Sequence, residues 1–252
     1  MNLGERVKLT VHASGAAEIL IDRPERHNAM TRAMYDALLE CIAVCQRNAA
    51  VRSVLFRGAG GKSFISGTDI AHFKDFTDGR EGIAYEAFVE RVIDAVERIA
   101  VPTVAVIDGW AVGGGLALAT ACDFRVCSAG SRFGAPIAKT LSNTLSSRNI
   151  ARLQAALGVP RVKRMLLLAD YLNADEALAC GYVQTVCAQG ELQTVAHTLA
   201  DRLMGLSPVT HKAVKESIRR IVVEQRLDDD DIVEEVYGSQ AFRDGVAAFN
   251  GR

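Results

Sequence analysis

Small residues at two places in this chain are spaced for chemistry. Gly113, Gly114 and Gly115 stand between the apolar, β-branched run 104–107 and the small-residue stretch 116–121. That pattern predicts a buried strand, a tight turn at Asp108-Gly109 and a helix beginning at the glycines. A helix start leaves backbone N–H groups unpaired, and glycine lacks the Cβ that would hold a ligand away. An anionic or partly anionic oxygen is the natural guest. A second cluster, Ser66-Gly67-Thr68-Asp69-Ile70, ends the apolar pair Phe64-Ile65. It reads as a turn capped by Asp69, and it can also present the Thr68 N–H as a second donor to the same oxygen.

Other motifs carry less. The run Arg57 to Ser63 imitates a phosphate-binding loop, but Phe56 occupies the place of the required first glycine and no helix pattern follows, so a surface turn is expected. His12, His27, His197 and His211 have no acidic or nucleophilic neighbour in sequence, and no Gly-x-Ser-x-Gly elbow exists, which disfavours a serine hydrolase. Six cysteines lack a Cys-x-x-Cys pair or a nearby histidine, so buried free thiols are expected and no metal centre. Asp228 to Asp231 reads as the acidic first turn of a helix.

The positioning elements follow from periodicity. Val7 to Val11 and Ala17 to Ile21 alternate around Ser14-Gly15 as a hairpin, and Arg23 to Ala29 breaks the pattern as a loop. Thr31 is the expected N-cap of a helix to about Asn48, followed by a strand over Val51 to Phe56. An amphipathic helix spans Ile83 to Ile99, and Pro102 ends it before the central strand. Strands are expected over Asp123 to Cys127, Arg132 to Gly134 and Val183 to Cys187, with Ile137 to Arg148 as a polar, irregular pocket wall. Helical periodicity dominates from Asn149 onward.

With 252 residues and 49% hydrophobic content, the chain can bury a sizeable core. A net charge of −1 argues against a nucleic-acid or anionic-membrane partner and for a small molecule. No run is long and apolar enough to span a bilayer and the N-terminus lacks an apolar signal core, so a cytoplasmic protein is expected.

Four stretches together resemble the crotonase, or enoyl-CoA hydratase/isomerase, superfamily: Ile21-Asp22-Arg23-Pro24 through Asn28-Ala29, Phe64 through Ile70, Asp108 through Asp123, and Ala241 through Phe249. The resemblance implies an α/β fold, a spiral of strand-strand-helix units over residues 1–195. A C-terminal helical region over 196–252 would mediate assembly into a homotrimer or homohexamer. It implies no permanently bound cofactor and a coenzyme A thioester as substrate, whose carbonyl would accept hydrogen bonds from the Thr68 and Gly114 N–H groups. Arg26, Ala29, Ser66, Asp69 and Ile70 would face the CoA, with Phe249 and Arg252 at the C-terminus completing its site.

The same resemblance exposes a departure. Hydratases of this family carry a glutamate three residues beyond the second glycine and another just after the proline that follows the Phe-Gly element. Ala117 and Ile137 stand there. Adding water across a double bond needs groups that move protons, and neither side chain can. His72 and Asn143, with Ser142, Ser146 and Ser147, are the nearest capable side chains in sequence, though His72 reads more readily as a surface histidine after a turn and Asn143 more readily as a turn cap. Three functions follow: an acyl-CoA enzyme working through an enolate, such as a decarboxylase; a hydratase or isomerase using other groups; and a non-catalytic acyl-CoA binding subunit.

Overall fold

The computed structural model describes residues 2–4 and 6–250, with side chains from residue 6. In chain order the strands are β1 (Asn2–Gly4), β2 (Val7–Val11), β3 (Ala16–Ile21), β4 (Ser53–Gly58), β5 (Ser63–Ile65), β6 (Thr103–Ile107), β7 (Trp110–Val112), β8 (Phe124–Ser128), β9 (Arg132–Gly134), β10 (Leu172–Asn173) and β11 (Thr185–Cys187). The helices are α1 (Arg32–Arg47), α2 (Gly79–Glu97), α3 (Gly114–Ala121), α4 (Ser147–Leu157), α5 (Val159–Leu167), α6 (Ala174–Ala179), α7 (Leu192–Met204), α8 (Pro208–Arg219), α9 (Asp230–Tyr237) and α10 (Gln240–Asn250).

Successive strands are dealt to two sheets. β4, β6 and β8 enter a seven-stranded sheet ordered β1-β2-β3-β4-β6-β8-β11, while β5, β7 and β9 enter a four-stranded sheet ordered β10-β9-β7-β5. A helix follows each pair, so β4-β5-α2, β6-β7-α3 and β8-β9-α4 are turns of one strand-strand-helix spiral. From β3 to β11 the large sheet is parallel, as connections that leave it and return require. β6 is buried throughout: Ala105 and Ile107 face the main core shared with α1, α2 and α3, whereas Val104 and Val106 face α7 through Leu192, Ala196, Ala200 and Leu203. Burial on both faces explains why this strand reads as a continuous apolar run.

Thr31 caps α1 by accepting the Met34 N–H at 3.3 Å. The second helix begins at Gly79, four residues before the sequence reading, because Asp78 and Glu81 form a reciprocal capping box ahead of the first apolar turn. β4 extends to Gly58 rather than ending at Phe56. β5 and β7 form where only turns are legible, since three-residue strands flanked by glycine leave no period to read. Asp230 and Asp231 occupy the first turn of α9, and all six cysteines are free. The boundary drawn at residue 195 falls inside α7. Among the described residues no helix is long and apolar enough to cross a membrane.

Candidate functional site: two backbone donors beneath a hydroxyl chain

Glycine geometry brings two distant loops together. Gly67 adopts φ +104° and Gly113 φ +56°, conformations that side chains resist. A Cβ on Gly67 would lie 3.7 Å from the Gly114 nitrogen, so the loop after β5 lies beside the start of α3. The approach at Gly115 tolerates no side chain, since its Cβ would fall 2.0 Å from the Ile65 carbonyl oxygen.

Thr68 is held by a parallel bridge to Met30, in which the Met30 N–H donates to Gly67 (2.8 Å) and the Asp69 N–H donates to Met30 (2.9 Å). Alternation along an extended backbone turns the Thr68 N–H away from that bridge. Among the described residues neither the Thr68 nor the Gly114 N–H donates to an acceptor. Two neighbouring free donors can polarise one carbonyl oxygen and stabilise charge that develops on it.

Arg23 and Asn28, neither singled out from sequence, fix the loop that carries this arrangement. Buried Asn28 accepts the Arg23 N–H at 2.9 Å and donates to the Ala59 and Ser63 carbonyls at 2.9 and 2.7 Å. The Arg23 guanidinium donates to the Ala29 carbonyl at 2.9 Å and pairs with Asp69 at 2.7 Å. Arg23, helped by the Ala71 N–H, holds the Asp69 carboxyl below its usual range, which makes Asp69 a poor base. The N–H groups of Ala29, Ser66 and Asp69 already donate to Arg26, His27 and Met30. The Ile70 side chain beside this loop is exposed.

Above the donors lies a chain of hydroxyls. Tyr35 Oη is 2.8 Å from Thr68 Oγ1, which is 2.7 Å from Tyr85 Oη. Tyr35 comes from α1 and Tyr85 from α2. Burial, with the charges of Tyr85 and Glu86 acting in the same sense, pushes Tyr35 well above the ordinary phenol range, and burial pushes Tyr85 up to about 12. Both are neutral proton donors near pH 7. A Cβ on Gly114 would sit 2.9 Å from Tyr35 Oη, which places that phenol directly over the glycine.

Glu86 follows Tyr85 on α2 and accepts the Ser146 N–H at 2.8 Å, while the Ser146 hydroxyl donates to Glu90 at 3.2 Å. Half-buried, Glu86 has its carboxyl raised by burial, against the opposing Ser146 bond. It is thus more basic than an exposed glutamate. Ala117 is buried on α3 and Ile137 is half-buried beyond Pro136. The His72 ring packs among Phe73, Phe76 and Tyr85, 5.4 Å from the last. Asn143 is exposed, its amide only 3.5 Å from the neighbouring Thr144 carbonyl, and nothing brings it to the hydroxyl chain.

Exposed Phe249 lies on α10 in a groove with Val209, Val236, Phe242 and Val246, while Arg252 lies outside the described residues. A cavity of about 510 Å³ opens beyond the C-terminal end of α3, away from Thr68. Charged groups in its lining are already paired, Asp123 with Lys215 and Arg152 with Glu97.

The two-sheet spiral with backbone donors at the second-sheet strand ends defines a class. The enoyl-CoA hydratase/isomerase family profile matches residues 12–251, and the chain belongs to that family, within the crotonase superfamily. It is 31% identical to a short-chain-enoyl-CoA hydratase of Clostridium acetobutylicum over 81% of this chain and 77% of that protein. It is 33% identical to a crotonyl-CoA hydratase of Syntrophomonas wolfei, over 75% and 72%. A crystal structure of an enoyl-CoA hydratase/carnithine racemase from Magnetospirillum magneticum superposes with a TM-score of 0.88 at 27% identity, over 98% of this chain and 93% of that one.

Proposed function

We propose that this acyl-CoA enzyme binds a CoA thioester with its carbonyl oxygen between the Thr68 and Gly114 N–H groups and stabilises the enolate formed there. The unsatisfied, adjacent donors carry the reading. Each is of a kind that contributes about 3–4 kcal/mol to the barrier.

Protons are moved from the α2 side of the pocket rather than from positions 117 and 137. Neutral Tyr85 and Tyr35 act as hydrogen-bond donors through Thr68, and Glu86 takes the proton. Glu86 is the nearest carboxylate of raised basicity to that chain, and its charge acts on both phenols. Classical hydration of crotonyl-CoA is correspondingly slow. Decarboxylation of a carboxyacyl-CoA is also compatible, because loss of CO₂ leaves the enolate without any base.

Exchange of the α-hydrogens of butyryl-CoA with deuterated water, followed by NMR, tests the reading without knowledge of the natural substrate. Wild-type protein exchanges them, and Glu86→Gln binds the thioester equally but exchanges about 10²–10⁴-fold more slowly. Binding without exchange, and without turnover of carboxyacyl-CoAs, would replace enolate chemistry with a binding role. Full exchange by the variant would remove Glu86 from the mechanism.

A further inference from the structure

Away from the acyl-CoA site, two side chains of the N-terminal hairpin and one from α7, distant in sequence, converge on the other face of the large sheet. His12 follows β2, Glu18 lies on β3, and His197 lies on α7. One ligand atom from each falls within 4.8 Å of the others. The two imidazoles meet edge to face, with centroids 5.6 Å apart and planes at 88°.

We propose that His12, Glu18 and His197 form a site for a divalent transition-metal ion of the zinc class. Two imidazoles and one carboxylate are the donor set that borderline ions such as Zn²⁺, Co²⁺ and Ni²⁺ favour over Mg²⁺ or Ca²⁺. Metal–ligand distances of about 2.0–2.2 Å place tetrahedral ligand atoms ~3.4 Å apart. Binding requires the present separations, within 4.8 Å, to shorten to that value, with a fourth position left for water.

The backbone beneath each ligand is fixed. The His12 N–H donates to the Ala16 carbonyl at 2.8 Å across the hairpin. Alternation on β3 puts Glu18 on the same face as Ala16, the face covered by α7, while Ala17 and Ile19 enter the main core. Ala196 and Ala200, flanking His197 on α7, are fully buried against that face. The charged neighbour is Arg57 of β4, whose Nε lies 2.8 Å from one Glu18 oxygen. A carboxylate can hold a guanidinium on one oxygen and a metal on the other, so Arg57 orients the ligand while lowering the affinity its full charge would give. A bound ion would tie the N-terminal hairpin to α7.

The test uses untagged full-length protein, stripped with a chelator and dialysed. Titration with Co²⁺, read by its visible absorption, and with Zn²⁺ by calorimetry, is expected to show one ion per chain and a raised Tm with Zn²⁺. His12→Ala and His197→Ala each weaken binding at least about tenfold with unchanged circular dichroism, whereas His211→Ala on α8 does not. Absence of stoichiometric binding, or binding that survives loss of both His12 and His197, would overturn the site. Neither outcome bears on the thioester reading.

Discussion

Gly114 matters for what it lacks. Its missing Cβ leaves room for Tyr35 Oη, 2.9 Å from where that carbon would stand, and in the proposed mechanism for a thioester oxygen. Gly114→Ala is expected to displace the phenol and slow α-hydrogen exchange. Tyr35→Phe in the same chain removes the obstructing oxygen and recovers part of the loss, so the two substitutions are non-additive when exchange rates are compared in a double-mutant cycle. Additive losses would show that the phenol and the glycine act separately. The pH dependence belongs to Glu86. A base must be ionised to act, and burial raises its carboxyl above 4.5, so activity climbs with pH along a limb displaced upward from an ordinary glutamate. Tyr85, held up to about 12, adds no titration below about pH 11. A pH–rate profile of Glu86→Gln should lack the acidic limb.

One arginine ties two helices together. Buried Arg152 on α4 pairs with Glu90 at 2.8 Å and Glu97 at 3.0 Å, both on α2, so one guanidinium answers two buried carboxylates. Arg152→Leu leaves both carboxylates without a counter-charge and is expected to cost about 3–5 kcal/mol in denaturant unfolding. Replacing Glu90 and Glu97 by Gln in the same chain should return much of it. Glu216 sits between Arg219 and Arg220 at the end of α8, and Arg219 above all lowers its carboxyl from 4.5 to about 2. A lowered carboxyl stabilises the fold above its unfolded value and stops doing so as pH falls through the folded one. Acid unfolding between pH 4.5 and 2 should therefore be shallower in Glu216→Gln, which is also less stable at pH 7.

For the whole molecule, the C-terminal helices present an uncovered face. Val214, Ile218 and Ile221 are 49%, 55% and 51% exposed and recur at i, i+4 and i+7, one stripe along α8 and the turn beyond it. Such a stripe is the signature of a helix whose partner is another molecule. We propose that it is buried in a homo-oligomer. Light scattering should give a mass several times that of one chain, and Ile218→Asp should lower it; a monomeric wild type would contradict the proposal.

Local physics made much of this legible without coordinates. The apolar run 104–107 read as a buried strand, Thr31 as a helix N-cap, and the spacing of four motifs carried the family. Absent glutamates at positions 117 and 137 were equally visible, because they are matters of identity rather than arrangement. What filled that gap was not. Periodicity tells which face of a helix turns inward but not what it meets there. Tyr35 and Tyr85, 33 and 17 residues from Thr68, reach it only because α1 and α2 pack over one loop. His12 and Glu18 share the N-terminal hairpin, and only its closure against α7 brought His197 to them. The sequence by itself determined the elements, their caps and the glycine turns, since these depend on residues a few positions apart. Tertiary structure alone decided which polar side chains share a site, since that depends on how separate helices and sheets come to rest against each other.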